Sequence, residues 1–219
     1  MEIMPGTALY WRDWSESQLA SYQGDQGSSN HCAKFAAASA LNLLYGTELN
    51  GGVLVSWIQD RPLKGIGRYT IIGNNNGSLV FQTANLLRQL ARMGGVSPRV
   101  KCRRINLPGL LSILQKENTL VLVSLTYWQG KEPLIAKGQN TVSSLAQARW
   151  VGGHIMIPVA YDPGHINQAG YGTPWGFISS WGFGNQLYWM AENDFKKTWG
   201  QLSIFNAITV GRAEDDHPF

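Results

Sequence analysis

The sequence predicts an α+β protein, with helices in its first half and strands in its second. Three observations carry that expectation. Residues 26–46 run a short polar loop straight into an alanine-rich apolar segment, Cys32 to Tyr45, with Gly46 as its stop. Residues 119–127 form an apolar, β-branched run of strand length. Beyond it, short apolar segments at 154–161, 176–181, 187–190 and 203–210 alternate with turn-forming residues. Helices before strands describe two packed parts, not a repeating β-α alternation.

Taken in order, residues 1–25 read as an irregular lead-in anchored by Trp11 and Trp14. The segment from Cys32 to Tyr45 places Phe35, Ser39 and Leu43 at helical spacing. Residues 47–77 are rich in turn signals: Gly51-Gly52, Pro62, Gly65, Gly67 and Asn74-Asn75-Asn76-Gly77. Val80, Ala84, Leu87, Leu90 and Ala91 predict a second helix ending at Gly94-Gly95. A short helix is expected from Gly109 to Lys116, after Pro108, and another at Glu192–Trp199. Polar residues 129–149 read as a loop, and Pro158 within an apolar strand argues for a sheet edge or a bulge. The expected organisation is one domain, with a helical lobe over about residues 1–118 and a β-rich lobe over about 119–219.

Composition narrows the function classes. At 219 residues and 44% hydrophobic, the chain can bury a sizeable core, and 15% charge excludes a disordered tail or a coiled coil. The net charge is +4, but its one cluster, Arg99, Lys101, Arg103 and Arg104, fits a solvated strand face; no nucleic acid is expected as partner. No apolar run is long enough to span a membrane, so no membrane partner is expected either. Two cysteines, Cys32 and Cys102, leave no disulfide framework and point to a reducing compartment. The first residues do not form a signal peptide, which gives the expectation of a protein that is cytoplasmic when made. No zinc pattern, phosphate loop or dinucleotide fingerprint occurs, so no metal and no cofactor are expected.

Cys32 is the residue with the most chemistry to offer. A thiol at a helix N-terminus sees unpaired backbone N–H groups and the positive end of the helix dipole, which favour the nucleophilic thiolate. Taken alone, a cysteine before a helix is as well explained as a small buried hydrophobe. Of four histidines, His31 adjoins Cys32 on a neighbouring helix position and points elsewhere, His165 lies in a turn, and His217 sits near the end. His154 opens an apolar strand, where a polar side chain needs a reason.

Three segments together resemble the papain-like cysteine peptidases. Gln26-Gly27-Ser28-Ser29-Asn30-His31-Cys32-Ala33-Lys34-Phe35-Ala36 is similar to the nucleophile segment, with a glutamine six residues before the cysteine. Gly152-Gly153-His154-Ile155-Met156-Ile157-Pro158-Val159-Ala160-Tyr161-Asp162 is similar to the histidine strand. Trp175-Gly176-Phe177-Ile178-Ser179-Ser180-Trp181-Gly182 resembles the segment that carries the third member and a covering tryptophan. The resemblance implies a two-lobe fold, with a helical lobe bearing the nucleophile facing a β-rich lobe bearing the histidine. It implies Cys32 as nucleophile, His154 as acid and base, and Gln26 with the Cys32 N–H as oxyanion donors. Ser179 stands where the family has asparagine; its oxygen can accept from imidazole but reaches less far. By the same resemblance Gly77, Ser78, Gly153 and Trp181 are substrate-contact candidates.

What the resemblance implies is a cysteine endopeptidase that cuts a protein substrate through a thiolate–imidazolium pair. Deamidation or acyl transfer begins with the same attack, and a catalytically inactive binding module is the third alternative. No propeptide-length segment and no disulfides accompany the peptidase-like segments, which resembles bacterial members of the family. Such a chain fits an exported bacterial effector or toxin domain, restrained by an inhibitor or immunity protein that covers the cleft.

Overall fold

The computed structural model describes residues 7–27, 31–51, 80–129, 141–142, 149–168, 170–181, 186–199 and 205–213. In chain order its elements are β1 (Leu9–Tyr10), a 3-10 turn (Trp11–Asp13), α1 (Glu16–Ala20), α2 (Cys32–Tyr45) and α3 (Val80–Met93). There follow β2 (Arg99–Arg103), α4 (Leu107–Leu114), β3 (Thr119–Gln129), β4 (Thr141–Val142), β5 (Arg149–Tyr161) and β6 (Trp175–Ile178). The chain closes with β7 (Tyr188–Met190), α5 (Glu192–Thr198) and β8 (Ala207–Gly211).

A helix that is apolar on every side is buried on every side, and α2 is. All its residues are buried except Asn42 and Tyr45. Its alanines suit a helix interior and let neighbouring elements approach closely. Gly46 ends it in the left-handed conformation at φ 67°, donating its N–H to the Asn42 carbonyl at 2.8 Å. The Asn42 side chain then turns the chain back by bonding the N–H and carbonyl of Leu49, each at 2.9 Å.

The strands pair in the order β2-β8-β3-β5-β6-β7-β4, with β1 added against β5. All of these pairings are antiparallel except β4 with β7. Side chains alternate across the sheet, so two cores form. Leu120, Leu122, Ile155, Ile157, Ile208 and Val210 face α2 and α3, meeting Ala37, Leu41, Leu44, Leu87 and Leu90. Val121, Val123, Leu125 and Met156 turn the other way, toward Leu110, Leu114, Trp175, Phe177, Tyr188 and Phe195. The helical lobe thus lies on one face of the strand that carries His154, and an aromatic cluster fills the other.

Several boundaries differ from the sequence expectation. The lead-in is not irregular throughout: Ser15 accepts from the Gln18 N–H at 3.3 Å while Gln18 Oε1 accepts from the Ser15 N–H at 2.8 Å, a reciprocal cap that starts α1. Trp11 is fully buried, with its indole N–H on the Lys116 carbonyl at 3.0 Å. Helix α4 begins two residues before Gly109, because Pro108 occupies its first turn, where a missing N–H costs no helical bond. Strand β5 starts at Arg149 instead of His154, β6 ends at Ile178, and β8 spans Ala207–Gly211. Within 129–149 the described residues include the short strand β4. Pro158 lies on a central strand, and the register shifts between Pro158 and Ala160, so of the two expected explanations the bulge holds. Residues 52–77 of the turn-rich stretch lie outside the described residues.

The Phe35 ring of α2 is wedged against the backbones of Gly24 and Gly51, where a Cβ on either glycine would overlap it. Gly24→Ala therefore has to push the ring aside. A loss of about 1–3 kcal/mol in urea unfolding is expected, typical of overpacking. An unchanged urea midpoint would show that the ring has room to move.

Candidate active site

Two segments meet at the end of α2. The loop 23–27 from the helical lobe runs beside residues 179–181, which leave the end of β6. Gln26 donates its N–H to the Ser180 carbonyl at 2.8 Å, and Asp25 forms an isolated antiparallel bridge with Trp181. The Ser180 hydroxyl donates to Gln26 Oε1, which sets that oxygen as the acceptor end of the amide and Nε2 as its donor end. Gln23 adds a further tie: its Oε1 accepts the Ser179 N–H at 3.1 Å, and its Nε2 donates to the Gln186 carbonyl at 2.6 Å.

Cys32 is the first residue of α2 and is 6% exposed. Burial pushes its thiol above the ordinary value, while the nearby backbone N–H groups of Ile155, Ala33 and Cys32 itself act in the opposite sense. The Ile155 contact places the thiol against the residue that follows His154. His154 is buried and shares strand parity with Met156, so it faces away from the first core and toward the segment after β6. Its Nε2 lies 3.3 Å from Ser179 Oγ, and its ring stacks on Trp181 at 3.8 Å and 8°. With Nε2–H donating to the serine oxygen, Nδ1 is the ring atom able to take a proton. Burial lowers the imidazole to about 3. Burial thus favours the neutral form of each group, thiol and imidazole. An ion pair needs the helix N–H donors and the Trp181 face to compensate for desolvation.

Of the residues singled out in the sequence, the structure brings together His154, Ser179 and Trp181, ties Gln26 to the same segment, and sets Cys32 beside Ile155. Gly153 is exposed and immediately precedes His154. Gly77 and Ser78 lie outside the described residues. His31 is engaged elsewhere, its Nδ1 2.8 Å from Lys34 Nζ, and burial lowers the Lys34 ammonium to about 8. Gln23 and Ser180 were missed. Ser180 is at least flanked by two residues of the resemblance, but nothing near Gln23 marks it. A cavity of about 420 Å³ borders the loop, lined by Tyr22, Gly24, Asp25, Phe35, Ser39 and Glu48 among others, and contains neither Cys32 nor His154. Among the described residues no group of His, Cys, Asp and Glu is placed to hold a metal ion, and no helix is long and apolar enough to cross a membrane.

Helix, sheet and site define the papain-like cysteine peptidase fold, with α2 carrying a cysteine and the sheet a histidine. Solved structures agree. The cysteine protease and lectin-like domains of Cwp84, a surface layer associated protein of Clostridium difficile, match at a TM-score of 0.59 and 16% identity. That match covers 94% of this chain and 54% of the other, so the chain spans about half the length of the Cwp84 structure. Xylellain, a cysteine protease from Xylella fastidiosa, matches at a TM-score of 0.58 and 12% identity, covering 96% of this chain and 87% of that one. No protein-family model and no curated protein sequence matches the chain.

The buried histidine has a consequence for stability. Its folded value near 3 lies below the ordinary 6.5, so the unfolded chain binds the extra proton between those limits. Stability is unaffected by this group above about pH 6.5 and falls as pH drops toward 3, by up to about 1.4 kcal/mol per pH unit. Urea midpoints at pH 7, 5.5 and 4.5 should fall more steeply for the wild type than for His154→Asn; parallel declines would place the proton elsewhere.

Proposed function

We propose that this chain is a cysteine endopeptidase acting on a protein substrate. The observation that carries the reading is the His154 ring, held between the Ser179 hydroxyl and the Trp181 face while the next residue's N–H reaches the Cys32 thiol. That arrangement fits a nucleophile, a base and an orienting group in one buried cluster.

In the proposed reaction the Cys32 sulfur attacks the scissile carbonyl carbon as its proton moves to His154 Nδ1. The resting neutrality of the pair favours transfer during the attack over a preformed ion pair. The tetrahedral oxygen accepts hydrogen bonds from the Gln26 side-chain N–H and the Cys32 backbone N–H. His154 then gives its proton to the departing amine, leaving a thioester. Water attacks the thioester, losing a proton to His154, and the acid and free thiol are regenerated. Ser179 keeps the ring in the Nε2-protonated tautomer throughout, and Trp181 shields that bond from water.

The test is to expose a cell lysate to the wild type and to Cys32→Ala and to map new peptide N-termini. Termini that appear with the wild type and vanish with the variant are expected, and His154→Ala should lower their rate of appearance by about 10²–10⁴. An absence of new termini, with substrate glutamine or asparagine gaining about one dalton, would replace proteolysis by deamidation.

A further inference from the structure

We propose that Gln23 is a positioning residue for the histidine, acting through Ser179. The inference rests on the reading of Ser179 as the partner of His154, and it explains how a side chain as short as serine can hold that place.

Serine has one rotatable bond before its oxygen, so the location of Oγ follows the location of its backbone. Ser179 needs that backbone held, because its Oγ stands 3.3 Å from His154 Nε2, at the long limit of a useful bond. The sheet does not hold it. The registered pairing of β5 with β6 ends at Ile157 and Ile178, one residue earlier. The Ser179 N–H is instead taken by Gln23 Oε1 at 3.1 Å. Gln23 is fixed in turn by donating Nε2 to the Gln186 carbonyl at 2.6 Å, and its own N–H bonds the Ala20 carbonyl at 3.0 Å. One primary amide does both jobs, since it alone among side chains of that length offers an acceptor and a donor on one planar group. Glutamate keeps the acceptor and loses the donor; leucine loses both.

The link is also one between lobes. Gln23 lies three residues before Gln26, so the loop that carries the oxyanion amide also locates the base. A small displacement of the loop then alters both. Without the Gln23 bond, Ser179 Oγ drifts from Nε2, the ring loses its preferred tautomer, and Nδ1 is a poorer base toward Cys32.

Alkylation of Cys32 by iodoacetamide, followed by mass spectrometry from pH 5 to 9, reads thiol activation without any substrate. Wild type, Gln23→Leu, Gln23→Glu, Ser179→Ala, His154→Ala and the double variant Gln23→Leu/Ser179→Ala are compared, each first checked for an unchanged unfolding midpoint. Gln23→Leu and Ser179→Ala should each slow alkylation at pH 7 by about threefold to tenfold, within the range of a coupled pair, and shift its pH profile alike. The double variant should be no slower than either single one. Gln23→Glu should lie between wild type and Gln23→Leu, and it carries the test alone if the leucine variant does not fold. Slow alkylation in Ser179→Ala with wild-type rates in both Gln23 variants would overturn the proposal and leave the role of Ser179 standing. Two effects that multiply in the double variant would also overturn it, by placing Gln23 in a separate role. Wild-type rates in Ser179→Ala with slow alkylation in His154→Ala would remove the reading of Ser179, and the proposal with it.

Discussion

The site depends on a seam of hydrogen bonds between residues 23–26 and the segment that leaves β6. The Gln26 N–H on the Ser180 carbonyl, which is part of the Asp25–Trp181 bridge, the Ser180 hydroxyl on Gln26 Oε1 and the Ser179 N–H on Gln23 Oε1 belong to it. Each crosses from the helical lobe to the sheet. On one side of the seam the loop leads to α2 and its cysteine; on the other the chain carries Ser179 and Trp181 to the histidine. A net hydrogen bond stabilises by only about 1 kcal/mol, so the seam's importance is geometric. It sets the relative position of two groups that neither lobe could position by itself.

Electrostatics at the site are a contest between burial and donors. Burial alone raises the Cys32 thiol and drops the His154 imidazole to about 3, so both groups are held neutral. Backbone N–H groups near the sulfur and an indole face parallel to the imidazole act in the opposite sense. The same low dielectric that suppresses charge at rest strengthens any hydrogen bond to an oxyanion once it forms. On the proposed reading, such a buried and neutral thiol and imidazole suit chemistry in which charge appears late.

Much of this was legible in the chain. Helix α2 is found at Cys32–Tyr45 as expected, because alanine propensity, an apolar surface and a terminal glycine all agree on it. The histidine and Ser-Ser-Trp segments singled out His154, Ser179 and Trp181, and these three side chains are in contact. Other features were not accessible at that level. Helix α1 has only five residues and owes its existence to the Ser15–Gln18 cap and to tertiary packing of Leu19 and Ala20. Strand β1, far from the strand-rich half in sequence, joins the sheet because β5 offers it an edge, whereas β2 falls on the basic segment read as a strand face. Gln23 carries no local signature, since its role consists of two hydrogen bonds to residues more than 150 positions away.

The most direct test of the account is a crystal structure of the protein after reaction with a peptidyl chloromethyl ketone. The account predicts a bond to Cys32 Sγ, with Cys102 unmodified. The ketone oxygen of the resulting thioether should lie within hydrogen-bond distance of Gln26 Nε2 and the Cys32 N–H, and His154 Nε2 should still face Ser179 Oγ. A modified Cys32 with its oxygen turned away from Gln26, or with His154 swung off Ser179, would contradict it.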